Sequence, residues 1–262
     1  MRSRSQTEPV RIWTLMAIGV LAYVGSMLLH EVVGHGGLCI LTGGHVTLLN
    51  PLGMRCSVIA PAMVAAGPLA NLIGGLLCAV ALRNLARLSG NTRYFLWFSM
   101  MFNLLIAAGY MAVCGIMDFG DWAVLIGGLE PRGVWRALLV VAAIVLYYWF
   151  FRMLAVEYYR LSGSAGFETP RLRRVVGFPI FATAVVACAA AAFSPTDRVL
   201  ALELSFATTV VVGLSLLSLP DALRRAKHRP DAAPAVLSPS AGWIGCGVIV
   251  AALFVLVLGP GI

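Results

Sequence analysis

The sequence predicts an all-α, polytopic membrane protein with about seven transmembrane helices and a short β-hairpin after the first. Three observations carry the prediction. Of 262 residues, 60% are hydrophobic and only 11% are charged, where a soluble domain carries roughly 25% charged residues. The apolar residues gather into long stretches, and the mean hydropathy is +0.91. The cations lie between or at the ends of those stretches, mostly on alternate sides. Little mass is left for a soluble domain, and no Gly-rich nucleotide loop is present. The chain therefore reads as one integral-membrane domain over 1–262, with a core at about 12–125 and accessory helices at about 134–259.

Seven apolar stretches follow in order: about 12–40, 60–82, 94–117, 134–155, 175–193, 199–219 and 242–259. Each is long enough to cross a hydrocarbon core of ~30 Å at ~1.5 Å per residue. The first does not read as a cleaved signal peptide, because its apolar run continues past His30 to Leu41 with no small-residue cleavage site. After it, Thr42-Gly43-Gly44-His45-Val46-Thr47-Leu48 leads to the turn Asn50-Pro51-Leu52-Gly53 and then to Met54–Ile59. Apolar and β-branched residues around a Pro/Gly turn predict a hairpin. A hairpin beside a membrane site offers an open edge to an extended peptide. Residues 160–174 and 220–241 are polar, basic linkers. No internal repeat is found.

The formal charge of +8 is a topology signal and does not mark a nucleic-acid partner. With the N-terminus in the cytoplasm, fifteen of the 19 Lys and Arg residues fall on the cytoplasmic side. The other four, Arg55, Arg132, Arg136 and Arg198, fall outside. The positive-inside rule then predicts N-in, C-out, in a bacterial inner membrane, with anionic lipids as partners of the basic loops. Tyr94, Trp97, Trp122, Trp135, Tyr158 and Trp243 lie near stretch ends, as interfacial aromatics do. The six cysteines include no C-x-x-C pair. Cys39 and Cys56 share one side of the membrane, which is compatible with a disulfide but does not require one.

The chemistry is concentrated in His30-Glu31-Val32-Val33-Gly34-His35, inside the first apolar stretch. Two imidazoles and a carboxylate are costly in lipid and face a cavity there. They are also the side chains that hold zinc and activate a water on it. In the familiar H-E-x-x-H motif the histidines are i and i+4, about 40° apart around a helix. Here they are i and i+5, about 140° apart in a regular α-helix. A shared ion therefore requires one extra residue in the turn, a π-bulge, and Gly34 is where backbone irregularity costs least.

HEVVGH resembles the H-E-x-x-G-H motif of dipeptidyl peptidase III, in which both histidines bind zinc and the glutamate is the base. The wider pattern resembles the site-2 protease family of intramembrane metalloproteases. It consists of a metal motif on a membrane helix, the following Gly43-Gly44-His45-Val46, and Ala66-Gly67-Pro68-Leu69-Ala70-Asn71 in the next stretch, which matches the family's A-G-P-x-x-N run. The likeness covers roughly residues 20–122. It implies a third ligand, an aspartate on a later core helix. The family's N-x-x-P-x-x-x-x-D-G run is incomplete here: Asn103 stands without the Pro or Asp-Gly, and the third stretch ends Asp118-Phe119-Gly120-Asp121-Trp122. Asp121 is the first choice for the ligand and Asp118 the second. Stretches one and three run in one direction and stretch two returns between them, so these residues meet at one depth near one face. The family's metal site lies near the cytoplasm, whereas the charge count puts this one near the opposite face.

The expected activity is zinc-dependent hydrolysis of a peptide bond in a membrane-embedded or membrane-adjacent protein. His30, His35 and Asp121 would hold Zn²⁺, Glu31 would be the general base, and Asn71 would bind the substrate strand. Glu31 is also an alternative ligand, since it is i, i+4 with His35. His45 reads as a loop residue and His228 as a solvated one. Glu203 reads as an arginine partner or a support for the site, and Asn103 as an interhelical hydrogen-bonder. Two other readings use the same cavity: a non-proteolytic metal-binding scaffold or transporter, and a hydrolase of a lipid-linked substrate.

Overall fold

The structure, a computed structural model, describes residues 4–51, 53–58, 60–85, 87–162, 173–195 and 235–262, with 202, 205, 212 and 216 between the last two stretches. The rest of the apolar stretch 199–219, together with Glu203 and His228, lies outside the described residues.

The fold is an all-α, polytopic membrane protein with one small hairpin. Helix α1 (Arg4–Leu28) runs into a π-helical turn (Leu29–Gly36) and a short α2 (Gly37–Leu41). The hairpin β1 (Val46–Asn50) and β2 (Gly53–Cys56) follows, then α3 (Pro61–Asn84), α4 (Gly90–Met117) and the five-residue α5 (Asp121–Leu125). Helix α6 is Arg132–Ser162. A second π-helical turn (Arg173–Gly177) enters α7 (Phe178–Ala192), and α8 (Ala241–Leu253) ends in a third (Phe254–Leu258). Six of the described helical segments are long and apolar enough to cross a membrane.

Local sequence explains the boundaries. Pro61 opens α3 after extended Ala60, where a missing N–H costs nothing. The Ser89 side chain accepts from the Thr92 N–H at 3.2 Å and starts α4. Helix α4 stops at Asp118, which adopts a left-handed conformation with φ 55°, and Gly120 at φ 87° turns the chain into α5.

Helix α4 is the centre of the bundle and packs against α1, α3 and α6. Trp97, Phe98, Met100, Met101 and Phe102 are completely buried, so this helix has no polar face because it has no solvent face. The Trp97 indole N–H donates to the Leu154 carbonyl on α6 at 3.1 Å, which satisfies the one polar atom of that ring. By contrast, Val141, Ile144, Val145 and Trp149 on α6, Val248, Ile249 and Leu253 on α8, and Leu256 in the turn after it are exposed, as lipid-facing side chains must be. The buried carboxylate of Glu157 is paired with Arg83 at 2.7 Å and Arg160 at 3.5 Å.

The hairpin is antiparallel, with Asn50 opposite Gly53, Leu49 opposite Met54 and a bulge between Val46 and Leu48. It is fixed at both flanks. The Cys39–Cys56 disulfide ties β2 to the end of the first membrane segment. On the outer edge of β1, Leu49 and Ile262 exchange backbone hydrogen bonds at 2.8 and 3.0 Å. Among the described residues no strand pairs with the other edge of β2.

Candidate metal centre

The expected extra residue is present. Leu29–Gly36 is π-helical, and the Gly37 N–H closes an i→i−5 bond to the Val32 carbonyl. The wider turn swings His30 and His35 onto one face, with ring centroids 4.8 Å apart. Both residues are buried, at 8% and 7% exposure.

Asp121 reaches them from α5. His30 Nε2 and His35 Nε2 are 3.2 Å apart. Asp121 Oδ2 lies 3.3 Å from the first and 3.2 Å from the second. Three donor atoms thus form a nearly equilateral triangle, and among the described residues this is the group able to hold a metal ion. Two sides of the geometry favour a cation. Tetrahedral bonds of ~2.0–2.1 Å place ligand atoms about 3.3 Å apart. Protons do not satisfy the triangle either. His35 Nδ1 donates to the Met63 carbonyl at 2.8 Å, so a neutral His35 turns a lone pair toward the other two atoms. One proton on His30 then serves a single contact, whereas a cation at the centre serves all three. Burial alone would raise the Asp121 carboxyl, but the two imidazoles opposite outweigh it, and the group is held below its ordinary value.

Helix α3 provides the bed for this cluster. A Cβ on Gly34 would stand 2.6 Å from Gly67 Cα and 2.7 Å from the Ala66 carbonyl oxygen. A Cβ on Gly67 would run into the His35 imidazole. The two glycines therefore let the π-turn and α3 touch backbone to backbone, and the His35 ring lies directly on Gly67.

Glu31 sits beside the triangle at 6% exposure. Its Oε1 is 3.9 Å from His30 Nε2, Met54 of β2 lines the same cavity, and its Oε2 has no hydrogen-bond partner. Asn71 is 1% exposed and its side-chain oxygen is also unpartnered. Both line a cavity of about 660 Å³ with His30, His35 and Asp121. The hairpin forms one wall of it through Thr47, Met54 and Arg55, while Tyr23, Met27 and Leu105 make it largely apolar.

The other expected residues lie elsewhere. Asp118 is not brought to the histidines. Its carboxylate pairs with Arg132 at 2.6 Å and Arg136 at 3.7 Å, and the Arg132 hydrogen bond holds its carboxyl below the ordinary value. The left-handed turn at Asp118 points it to the start of α6, which corrects its standing as second choice for the ligand. His45 is exposed and its amide donates to Ser57 at 3.0 Å, as expected of a loop residue. Asn103 donates to the Ser99 carbonyl within its own helix at 2.7 Å and not across helices. Sequence reasoning missed Tyr110, whose hydroxyl accepts the Asp121 N–H at 3.1 Å and whose ring meets His30 edge-on at 6.1 Å. It also missed the Met63 carbonyl; no spacing marks either.

Comparison of the chain with protein-family models, with curated proteins and with solved structures returns no match.

Gly67→Ala is expected to displace the His35 ring, abolish metal binding and destabilise the fold by about 1–3 kcal/mol. Gly25→Ala, whose Cβ meets nothing within 4 Å, is expected to change neither. Metal content and thermal unfolding of the purified proteins check both outcomes.

Proposed function

We propose that this protein is an intramembrane zinc metallopeptidase that hydrolyses a peptide bond of a membrane-embedded or membrane-adjacent protein. The observation that carries the reading is the 3.2–3.3 Å triangle of His30, His35 and Asp121 with an unpartnered Glu31 oxygen beside it. Two imidazoles and one carboxylate suit tetrahedral zinc with a position left for water. The same donors also serve ferrous iron, but a buried carboxylate with a free oxygen next to the ligands is what hydrolysis needs. The site-2 protease resemblance supports the same chemistry.

When bound, Zn²⁺ supplies a Lewis acid that brings the pKa of water toward ~7. His30, His35 and Asp121 would hold it. Glu31 Oε2 takes the proton of the attacking water and later delivers it to the leaving amine. β2 lines the cavity, and its edge away from β1, on which no strand pairs among the described residues, offers backbone hydrogen bonds to an extended substrate, while the Asn71 side-chain oxygen accepts from that strand.

Two independent features support an N-in orientation with the site toward the extracytoplasmic face of a bacterial inner membrane. One is the fifteen-to-four distribution of cations. The other is the Cys39–Cys56 disulfide beside the site, since disulfides persist in oxidising compartments. The basic cytoplasmic ends then meet anionic lipids. A second reading, hydrolysis of a lipid-linked substrate, is favoured by the apolar lining around Tyr23, Met27 and Leu105.

His35→Ala is expected to lose zinc, while Glu31→Gln keeps it and loses about 10²–10⁴-fold in turnover. Zinc analysis and cleavage of membrane peptides in detergent or liposomes measure both. Zinc retained by a wild type that cleaves no membrane peptide would favour a scaffold instead. For orientation, a cysteine placed at exposed Gly128, in the loop between α5 and α6, is expected to react with a membrane-impermeant maleimide in intact cells. Labelling only after permeabilisation would reverse the topology.

A further inference from the structure

We infer that Tyr110 is a positioning residue for Asp121, and that it sets the strength of metal binding without touching the metal. The inference rests on the metal-centre reading above and names what holds its third side chain in place.

Asp121 has an unusual mounting for a ligand. His30 and His35 stand on a long membrane helix, but Asp121 stands on a five-residue helix, and a helix that short does not hold itself. Two backbone breaks, Asp118 at φ 55° and Gly120 at φ 87°, separate it from α4. Its first amides have no partners inside the helix, and Gly120 caps it with no side chain. The position of the carboxylate therefore depends on what grips those amides.

Helix α4 supplies the grip. The Tyr110 hydroxyl accepts from the Asp121 N–H at 3.1 Å. Cys114 Sγ lies next to it, against Gly120. Tyr110 and Cys114 are i and i+4, hence on one face of α4, and Cys114 is fully buried. Gly120 makes the fit possible, because a Cβ there would strike the Tyr110 hydroxyl and would come within 3.0 Å of Cys114 Sγ. The same Tyr110 ring lies edge-on to His30 at 6.1 Å and 79°. One residue thus steadies two of the three metal-binding side chains. Its hydroxyl is engaged by the Asp121 amide, so it is a positioning group and not a catalytic one.

The test uses full-length protein in detergent, with zinc affinity measured by chelator competition and Co²⁺ substitution followed by its visible absorption. Tyr110→Phe keeps the ring against His30 and removes the hydroxyl. It is expected to weaken zinc binding about 10–100-fold, the range for residues that orient ligands, and to alter the Co²⁺ spectrum. Wild-type affinity and an unchanged Co²⁺ spectrum in Tyr110→Phe would overturn the inference. Failure of the metal reading itself is distinguishable: wild type and His35→Ala would then take up zinc equally poorly, and both proposals would fall.

Discussion

One additional residue in the turn Leu29–Gly36 lets two histidines five positions apart face the same point. In a regular α-helix their side chains diverge by about 140°. The i→i−5 repeat brings them back one turn apart on one face. The distortion has to be compatible with lipid, where backbone groups must find partners inside the protein. It is, because the Gly37 amide still reaches the Val32 carbonyl. It is also held from outside, because Gly34 meets Gly67 and Ala66 with no side chain between them. The packing of α3 and the shape of the first helix are therefore one constraint.

From that constraint the other elements take their places. Helix α3 fixes the His35 tautomer through the Met63 carbonyl and supplies Asn71 to the cavity. Helix α4 ends at the depth of the histidines and hands the chain to α5, which carries Asp121. The hairpin closes the remaining side, bound to the first membrane segment by Cys39–Cys56 and to Ile262 by paired backbone bonds. The cluster lies toward the Leu41 end of the first membrane segment.

Much of this was legible in the sequence because it follows from periodicity and cost. Long apolar stretches give spans, and the described helices match six of the seven expected. The spacing of His30 and His35, with Gly34 between them, required a π-turn, and one is found. The Pro/Gly turn at 50–53 gave the hairpin. The choice between Asp121 and Asp118 was not decided by spacing. It is decided by Arg132 and Arg136, which capture Asp118, a tertiary contact between α6 and the end of α4 that no local pattern announces. Tyr110 and the Met63 carbonyl were invisible for a similar reason: one acts on a backbone amide and the other on a ring nitrogen in a different element. The pairing of Ile262 with Leu49 likewise has no local signal.

The most direct measurement is X-ray absorption at the zinc edge of the purified wild-type protein. Two imidazole nitrogens and oxygen ligands at ~2.0–2.1 Å, at one zinc per chain, are expected. A protein without stoichiometric zinc, or a zinc shell containing fewer than two imidazoles, would contradict the shared grip of His30 and His35 on one ion.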